Sequence, residues 1–226
     1  MAAEPLWPLI DLSWLNGERA RRVLNVVVAL ASLILFAPVM LLIALVVKLT
    51  SRGPVIYTQP RIGADRRNPN LPSGNWRRTR DLGGKPFTIY KFRTMYDAGD
   101  SRQVWATPGD PRVTPIGRIL RKYRLDELPQ LVNVLRGEMN IVGPRPEQPA
   151  LFAEFRDRLP DYQMRQRVLP GITGWAQVNQ SYDTCLDDVR SKLRYDLRYI
   201  ESASAIEDLR IMVRTLPIVV GRKGAW

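Results

Sequence analysis

The sequence contains no histidine and a single cysteine, Cys185. Without histidine there is no Ser-His-Asp triad, no Cys-His pair, no imidazole general base and no His-ligated zinc. One cysteine excludes an internal disulfide framework and a Cys-cluster metal site. Chemistry in this chain therefore falls to carboxylates, Lys, Arg, Tyr, Ser/Thr or a hard, oxygen-bound cation such as Mg²⁺. Acidic residues are also few: 22 Asp+Glu against 34 Lys+Arg give a formal net charge of +12. That balance points to an anionic partner, which can be nucleic acid, a membrane surface or a phosphorylated substrate. The apolar fraction of 45% supplies a packed core and excludes global disorder for this 226-residue chain.

The excess charge is not spread evenly. Residues 60–124 hold fifteen basic and five acidic residues, net +10, whereas residues 125–226 hold fourteen of each. A basic segment is either a solvated face or a binding surface, and no nucleic-acid reading motif accompanies this one.

Ahead of it lies the run Val23–Val47, 25 residues without a charge. It exceeds the roughly 20 residues that cross a hydrocarbon core and is too long for a cleaved signal peptide. Pro38 sits in its second half, where a missing N–H and a ring clash predict a kink or break. Both flanks are basic, with Arg19, Arg21 and Arg22 before the run and Lys48, Arg52 and Arg61 after it. The positive-inside rule then assigns no orientation. Physical chemistry leaves two forms open: a kinked transmembrane helix, or a re-entrant helix broken at Pro38 that returns to the face it entered. Trp7 and Trp14 suit headgroup depth in an interfacial lead-in over residues 1–22.

The remainder predicts α+β architecture, mainly helical, with a small β element. Val55–Thr58 and Phe87–Met95 read as strands, and residues 64–85 and 97–115 as loops. Helical spacing starts near Gly117 and resumes after Pro129; residues 147–168 form a further helical stretch. Residues 170–181 are turn-rich. Asp187–Glu201 is amphipathic, and Ile206, Leu209, Val213, Leu216 and Val220 form a stripe on a last helix, which can face either the core or a membrane.

Asp126 and Glu127, within LDELP, are the candidate chemical centre. In isolation the pattern reads as a helix N-terminus capped by Asp126. Its surroundings are cationic: Lys91 and Arg93 before it, Arg118, Arg121, Lys122 and Arg124 immediately upstream, Arg136 and Arg145 after it. A carboxylate nucleophile facing phosphate needs such screening, Arg clamps phosphate oxygens, and a neighbouring carboxylate can hold Mg²⁺. Gly143-Pro144-Arg145-Pro146-Glu147 fixes a turn that would hold Arg145 in one orientation.

The segments SRGPVIYTQPRIG (51–63), KFRTM (91–95), GRILRKYRLDELPQLVNVLRGEMNIVGPRPE (117–147) and PGITGWAQVN (170–179) closely resemble the bacterial sugar transferases, the small monotopic polyprenyl-phosphate phosphoglycosyl transferases. The resemblance covers about residues 20–220. It implies transfer of a phospho-sugar from a nucleotide-sugar, usually a UDP-sugar, to polyprenyl phosphate, with release of UMP, as the initiating step of glycoconjugate or exopolysaccharide assembly. It further implies that Asp126 is the nucleophile and that Glu127 holds Mg²⁺. Lys91, Arg93 and Arg121 would neutralise phosphate charge, Pro144, Arg145 and Pro146 would help bind the nucleotide, and Arg136 would be a further substrate-binding residue. The family's anchor is a re-entrant helix broken at a proline, which would divide the chain into an anchor, 1–50, and a catalytic domain, 51–226, on the cytoplasmic face of the inner membrane, with amphipathic interfacial helices.

The sequence departs from the family pattern at three places. Ala37 stands where Ser is frequent before the proline, Tyr123-Arg124 replaces a frequent Thr-Ser, and the Arg-rich loop 64–84 is long. No further long apolar run precedes Val23, which sets the expectation of a single anchor. Two other readings stand beside the transferase: a membrane-anchored basic protein binding nucleic acid, and a catalytically silent scaffold. Nothing in the residues names the sugar, and an apolar anchor face could also pair two copies.

Overall fold

The computed structural model describes residues 17–65, 83–96, 110–180 and 185–221; Trp7, Trp14 and most of the Arg-rich loop lie outside them. The chain is mostly helical with two small sheets. In chain order come α1 (Glu18–Thr50), β1 (Ile56–Ile62), β2 (Pro86–Phe92), α2 (Pro115–Lys122), a 3-10 turn (Leu125–Glu127) and α3 (Gln130–Leu135). Then follow β3 (Asn140–Val142), α4 (Pro149–Arg158), a second 3-10 segment (Tyr162–Arg167), β4 (Gly171–Thr173), α5 (Trp175–Asn179), α6 (Leu186–Ser202) and α7 (Ala205–Val220).

The apolar run forms one helix of 33 residues with Pro38 inside it. The expected break is not seen as a non-helical residue: a proline removes a single amide donor, and a helix held at both ends tolerates that loss. Both ends are held by the same folded body. At the start, Arg22 donates to the carbonyls of Val134 and Leu135 at the end of α3, at 2.6 and 2.9 Å. Arg21 pairs with Asp208 of α7 at 3.2 Å and bonds the Tyr199 hydroxyl of α6 at 2.6 Å. Asn25 accepts the Ile141 amide of β3. At the far end Arg93, just beyond β2, donates to the Ser51 carbonyl and hydroxyl at 2.7 and 2.8 Å and to the Pro54 carbonyl.

Packing repeats the pattern. Ala29 and Leu33 join Phe87, Ile89, Leu131 and Val134, while Ile43 and Val47 join Phe92 and Leu120. Between these contacts the helix shows large apolar side chains outward, with Ile34 75% and Leu41 73% exposed. It is the one helix among the described residues long and apolar enough to cross a membrane.

The strand readings shift by a few residues. β1 continues through Pro60 to Ile62 and pairs antiparallel with β2, placing Tyr57 opposite Lys91. β2 stops at Phe92, and Met95 instead bridges Val113. Asp126 does not cap a helix: it lies in the 3-10 turn, and α3 starts at Gln130 behind Pro129. The stretch 147–168 divides at Leu159 and Pro160, after which Asp161 takes a left-handed conformation. The turn-rich segment contains β4, parallel to β3, and the short α5.

The stripe on α7 faces outward: Leu209, Val213 and Leu216 are 52%, 58% and 64% exposed, whereas Asp208 and Ile211 are buried. Among the described residues of the basic segment, Arg93 is buried and others are tied to the protein. Arg61, Lys91, Arg93, Arg112 and Arg121 all have protein partners.

Candidate active site

Three pieces of chain converge on Glu127. β2 brings Lys91, the 3-10 turn carries Asp126 and Glu127, and the turn after β3 brings Arg145. Lys91 Nζ lies 2.8 Å from Glu127 Oε1 and 4.0 Å from Asp126 Oδ2. Arg145 Nη2 reaches the same Glu127 oxygen at 2.7 Å. Both carboxylates are buried.

Local sequence explains the convergence. α2 opens on Pro115 with Thr114 capping Gly117 N. A Cβ on Gly117 would come within 2.1 Å of the Thr94 carbonyl, so glycine lets α2 seat against the segment that follows β2. The helix stops at Tyr123, and Arg124 takes a left-handed conformation (φ 53°), which turns the chain sharply into the 3-10 turn. Asn133 of α3 then bonds the Thr88 carbonyl and the Tyr90 amide, fixing α3 against β2. Gly143 and Gly171 touch backbone to backbone; a Cβ on Gly171 would meet Gly143 N at 2.1 Å. That close approach aims the Pro144-Arg145-Pro146 turn.

The two carboxylates differ electrostatically. Burial pushes the Asp126 carboxyl above the usual range; Lys91 opposes the rise and Glu127 adds to it. Burial acts on Glu127 too, but Arg145 and Lys91 overcome it and hold that carboxyl well below its usual range. Glu127 is thus a fixed anion, and Asp126 is a destabilised carboxylate beside cations.

The expected residues separate into groups. Asp126, Glu127, Lys91 and Arg145 are brought together. Arg121 is close enough to lower the Asp126 carboxyl, and its Nε donates to Thr94 Oγ1 at 2.9 Å. Pro144 and Pro146 offer carbonyls to Gly171 N and Arg61 Nη1, both at 3.0 Å. Arg93 is placed elsewhere, buried under the end of α1. Arg136 is also apart, with its guanidinium 5.1 Å from the Tyr90 ring centroid.

Sequence reasoning missed the scaffold behind the turn. Arg165 is fully buried, paired with Asp196 at 2.7 Å, bonded to the Tyr162 hydroxyl and donating to the Arg145 carbonyl at 3.0 Å. Glu147 joins Lys192 at 2.7 Å and Arg165 at 3.5 Å. Burial acts against ionised Glu147, but Lys192 and Arg165 outweigh it and hold the carboxyl at about 2. Glu147 stood inside a quoted motif; Arg165, Lys192 and Asp196 carried no local signal.

A cavity of about 250 Å³ adjoins the site. Phe36 of α1, Leu125, Leu128, Ile172, Val178 and Ile218 make it apolar, and Glu127 and Arg124 are its charged wall residues.

A membrane-length helix is gripped by a body whose buried carboxylate pair is ringed by cations, an arrangement suited to binding an anion. The bacterial sugar transferase family matches residues 17–222, and the chain belongs to it. It is 40% identical over 221 residues to the UDP-glucose:undecaprenyl-phosphate glucose-1-phosphate transferase of Escherichia coli, covering 96% of this chain and 44% of that protein. Its identity to the Caulobacter vibrioides protein of the same name is 41% over 209 residues, 91% of this chain and 72% of the relative. To the exopolysaccharide production protein ExoY of Rhizobium meliloti it is 34% over 226 residues, 93% and 89% of the two chains. The chain therefore spans under half the length of some curated relatives and most of others.

Proposed function

We propose that this protein is a phosphoglycosyl transferase that moves a sugar phosphate from a UDP-sugar to polyprenyl phosphate. The observation carrying this reading is the unequal carboxylate pair: Asp126 buried and destabilised as an anion, beside Glu127 fixed by Lys91 and Arg145. Relatives named for UDP-glucose and undecaprenyl phosphate supply the substrate class.

In the first step an Asp126 carboxylate oxygen attacks the β-phosphorus of the UDP-sugar. The bond from that phosphorus to the bridging oxygen breaks, and UMP leaves with the oxygen and its electron pair. In the second, a polyprenyl phosphate oxygen attacks the same phosphorus, the bond to Asp126 breaks, and the carboxylate is restored as polyprenyl-diphospho-sugar departs. No proton is consumed in either step, so Asp126 must be ionised at the start. Lys91, Arg121 and Arg145 are positioned to screen the charge that the diphosphate brings to the two carboxylates.

Mg²⁺ fits this donor set. Among the described residues no three or more His, Cys, Asp or Glu gather as a ready-made cage. Two adjacent carboxylates suit a cation that takes its other ligands from water and substrate phosphates. Glu127 would hold it, since its ion pairs with Lys91 and Arg145 keep that carboxylate ionised and fixed at the site. When bound, the ion would neutralise diphosphate charge.

The form of α1 supports a membrane placement. Its two ends bond to one body and its middle exposes apolar side chains, which suits a helix that bends at Pro38 and returns to the cytoplasmic face of the inner membrane. The outward stripe of α7 suits a helix lying along that surface.

The test is UMP release from a panel of UDP-sugars with polyprenyl phosphate, with wild-type and Asp126→Asn protein. Turnover lost in the variant, together with a phospho-sugar mass adduct on the wild-type peptide containing Asp126 when acceptor is omitted, supports the route. Full activity in Asp126→Asn overturns it.

A further inference from the structure

The cavity beside Glu127 has no role in the chemistry described above. Its volume of about 250 Å³ is below the 300–1,000 Å³ range of sites for drug-sized ligands, so a whole nucleotide-sugar does not fit it. Its walls combine Phe36 of α1 and Ile218 of α7, two helices that each expose several apolar side chains, with Ile172 and Val178 of the β4–α5 segment. Its wall cation is Arg124, held by a left-handed backbone at the entry to the Asp-Glu turn and close enough to help hold Glu127 ionised. An apolar slot between two helices with exposed apolar faces, with one cation and the Glu127 carboxylate at its wall and Asp126 next to Glu127 in the chain, matches a ligand with a hydrocarbon chain and a phosphate at one end.

We propose that this cavity is the acceptor subsite: it takes the phosphate-proximal isoprenoid units of polyprenyl phosphate, and Arg124 receives the acceptor phosphate beside Asp126. The proposal rests on the transferase reading for the identity of the acceptor. It assigns Arg124 a substrate-binding role and makes the acceptor's first isoprenoid units, rather than its full length, the determinant of recognition. A phospholipid also joins hydrocarbon to phosphate, but its glycerol diester places two chains beyond a headgroup and gives no single slender chain next to the phosphate.

The experiment uses full-length protein in nanodiscs and two variants. Val178→Trp fills the slot; Arg124→Asn removes the charge while keeping a residue that tolerates the left-handed backbone. Each is read by thermal midpoint, by KM for polyprenyl phosphate, and by exchange of labelled UMP into UDP-sugar without acceptor. The expected result is an acceptor KM raised about tenfold or more in both variants, with UMP exchange and KM for UDP-sugar close to wild type in Val178→Trp and changed less than the acceptor KM in Arg124→Asn. In parallel, a diazirine-bearing geranyl phosphate should label the peptides containing Ile172 and Val178, with competition by polyprenyl phosphate and none by phosphatidylglycerol. Unchanged acceptor KM in folded variants, labelling confined to other peptides, or competition by phosphatidylglycerol overturns the subsite. Absence of UMP exchange in the wild type would overturn the covalent route instead, and the labelling decides the subsite in either case.

Discussion

Lys91 gives its hydrogen bond to Glu127, at 2.8 Å, although it also stands 4.0 Å from Asp126. The lysine therefore anchors the fixed anion while its charge still lowers the Asp126 carboxyl, which burial raises. Replacing it with Met leaves Asp126 further above the usual carboxylate range. Because attack requires ionised Asp126, the rising limb of kcat/KM against pH should move to higher pH in Lys91→Met. The rate at neutral pH should fall by about 10²-fold, as for other single electrostatic contacts to a reacting phosphate or oxyanion. A pH profile of UMP release checks both; an unshifted limb would separate Lys91 from Asp126 ionisation.

Asp126→Asn should uncouple stability from activity. The folded-state value of Asp126 is raised, so the folded protein holds this proton more tightly than the unfolded chain does. Its contribution to stability is full below the unfolded value and declines as pH rises toward the folded one. At neutral pH the ionised side chain costs stability, and neutral Asn removes that cost. The thermal midpoint of Asp126→Asn should equal or exceed that of wild type at pH 7.5 while turnover disappears. A clear drop in midpoint would contradict the burial argument.

Arg93→Ala should behave as a stability variant. The guanidinium bonds backbone at Val47, Ser51 and Pro54, so its removal leaves carbonyls at the end of α1 without a donor. A loss of about 2–4 kcal/mol is expected, with KM for UDP-sugar little changed in the fraction that remains folded. Denaturation midpoints and substrate titration distinguish this from a phosphate-binding role, which would raise KM instead.

Arg93 also illustrates what the sequence made legible. The run 23–47, the two strands and the cation-ringed Asp-Glu pair were readable because composition, period and local spacing report them directly. Arg93 sits in a quoted motif, but nothing local says that a helix more than forty residues upstream ends over it. Arg165, Lys192 and Asp196 meet Glu147 only through tertiary packing, and single charged residues on amphipathic helices look alike whether they face water or a buried partner. Periodicity defined the apolar stripe of α7 but not whether it faced inward. The Asp126 cap was misread because Arg124, which is not a glycine, takes the left-handed conformation that ends α2 early.

Glu147→Gln should alter the acid limb of stability. The folded-state value is depressed to about 2 from 4.5. Its stabilisation is therefore complete above the unfolded value and lost as pH falls through the folded one, in the window from about 4.5 to about 2. That shift corresponds to about 3 kcal/mol at most. Chemical denaturation in detergent or nanodiscs from pH 7 to pH 3 should show a shallower fall for Glu147→Gln than for wild type, with lower stability at pH 7. Because Arg165 bonds both Glu147's network and the Arg145 carbonyl, a modest activity loss should accompany it.

Topology offers the most direct test of the anchor. Arg21, Arg22 and Asn25 tie the start of α1 to α3, β3, α6 and α7, while Arg93 ties its end to the segment just beyond β2. A helix of 33 residues would be about 50 Å long if straight, which is more than the hydrocarbon core requires. Crossing would place one set of these polar contacts, and the charged body that makes them, on the far side of the membrane. In a Cys185→Ser background, single cysteines at Gly17 and Ser51 should react with an impermeant thiol reagent from the same side of sealed vesicles. Labelling of the two from opposite sides would establish a span and would require the contacts at one end of α1 to be rebuilt.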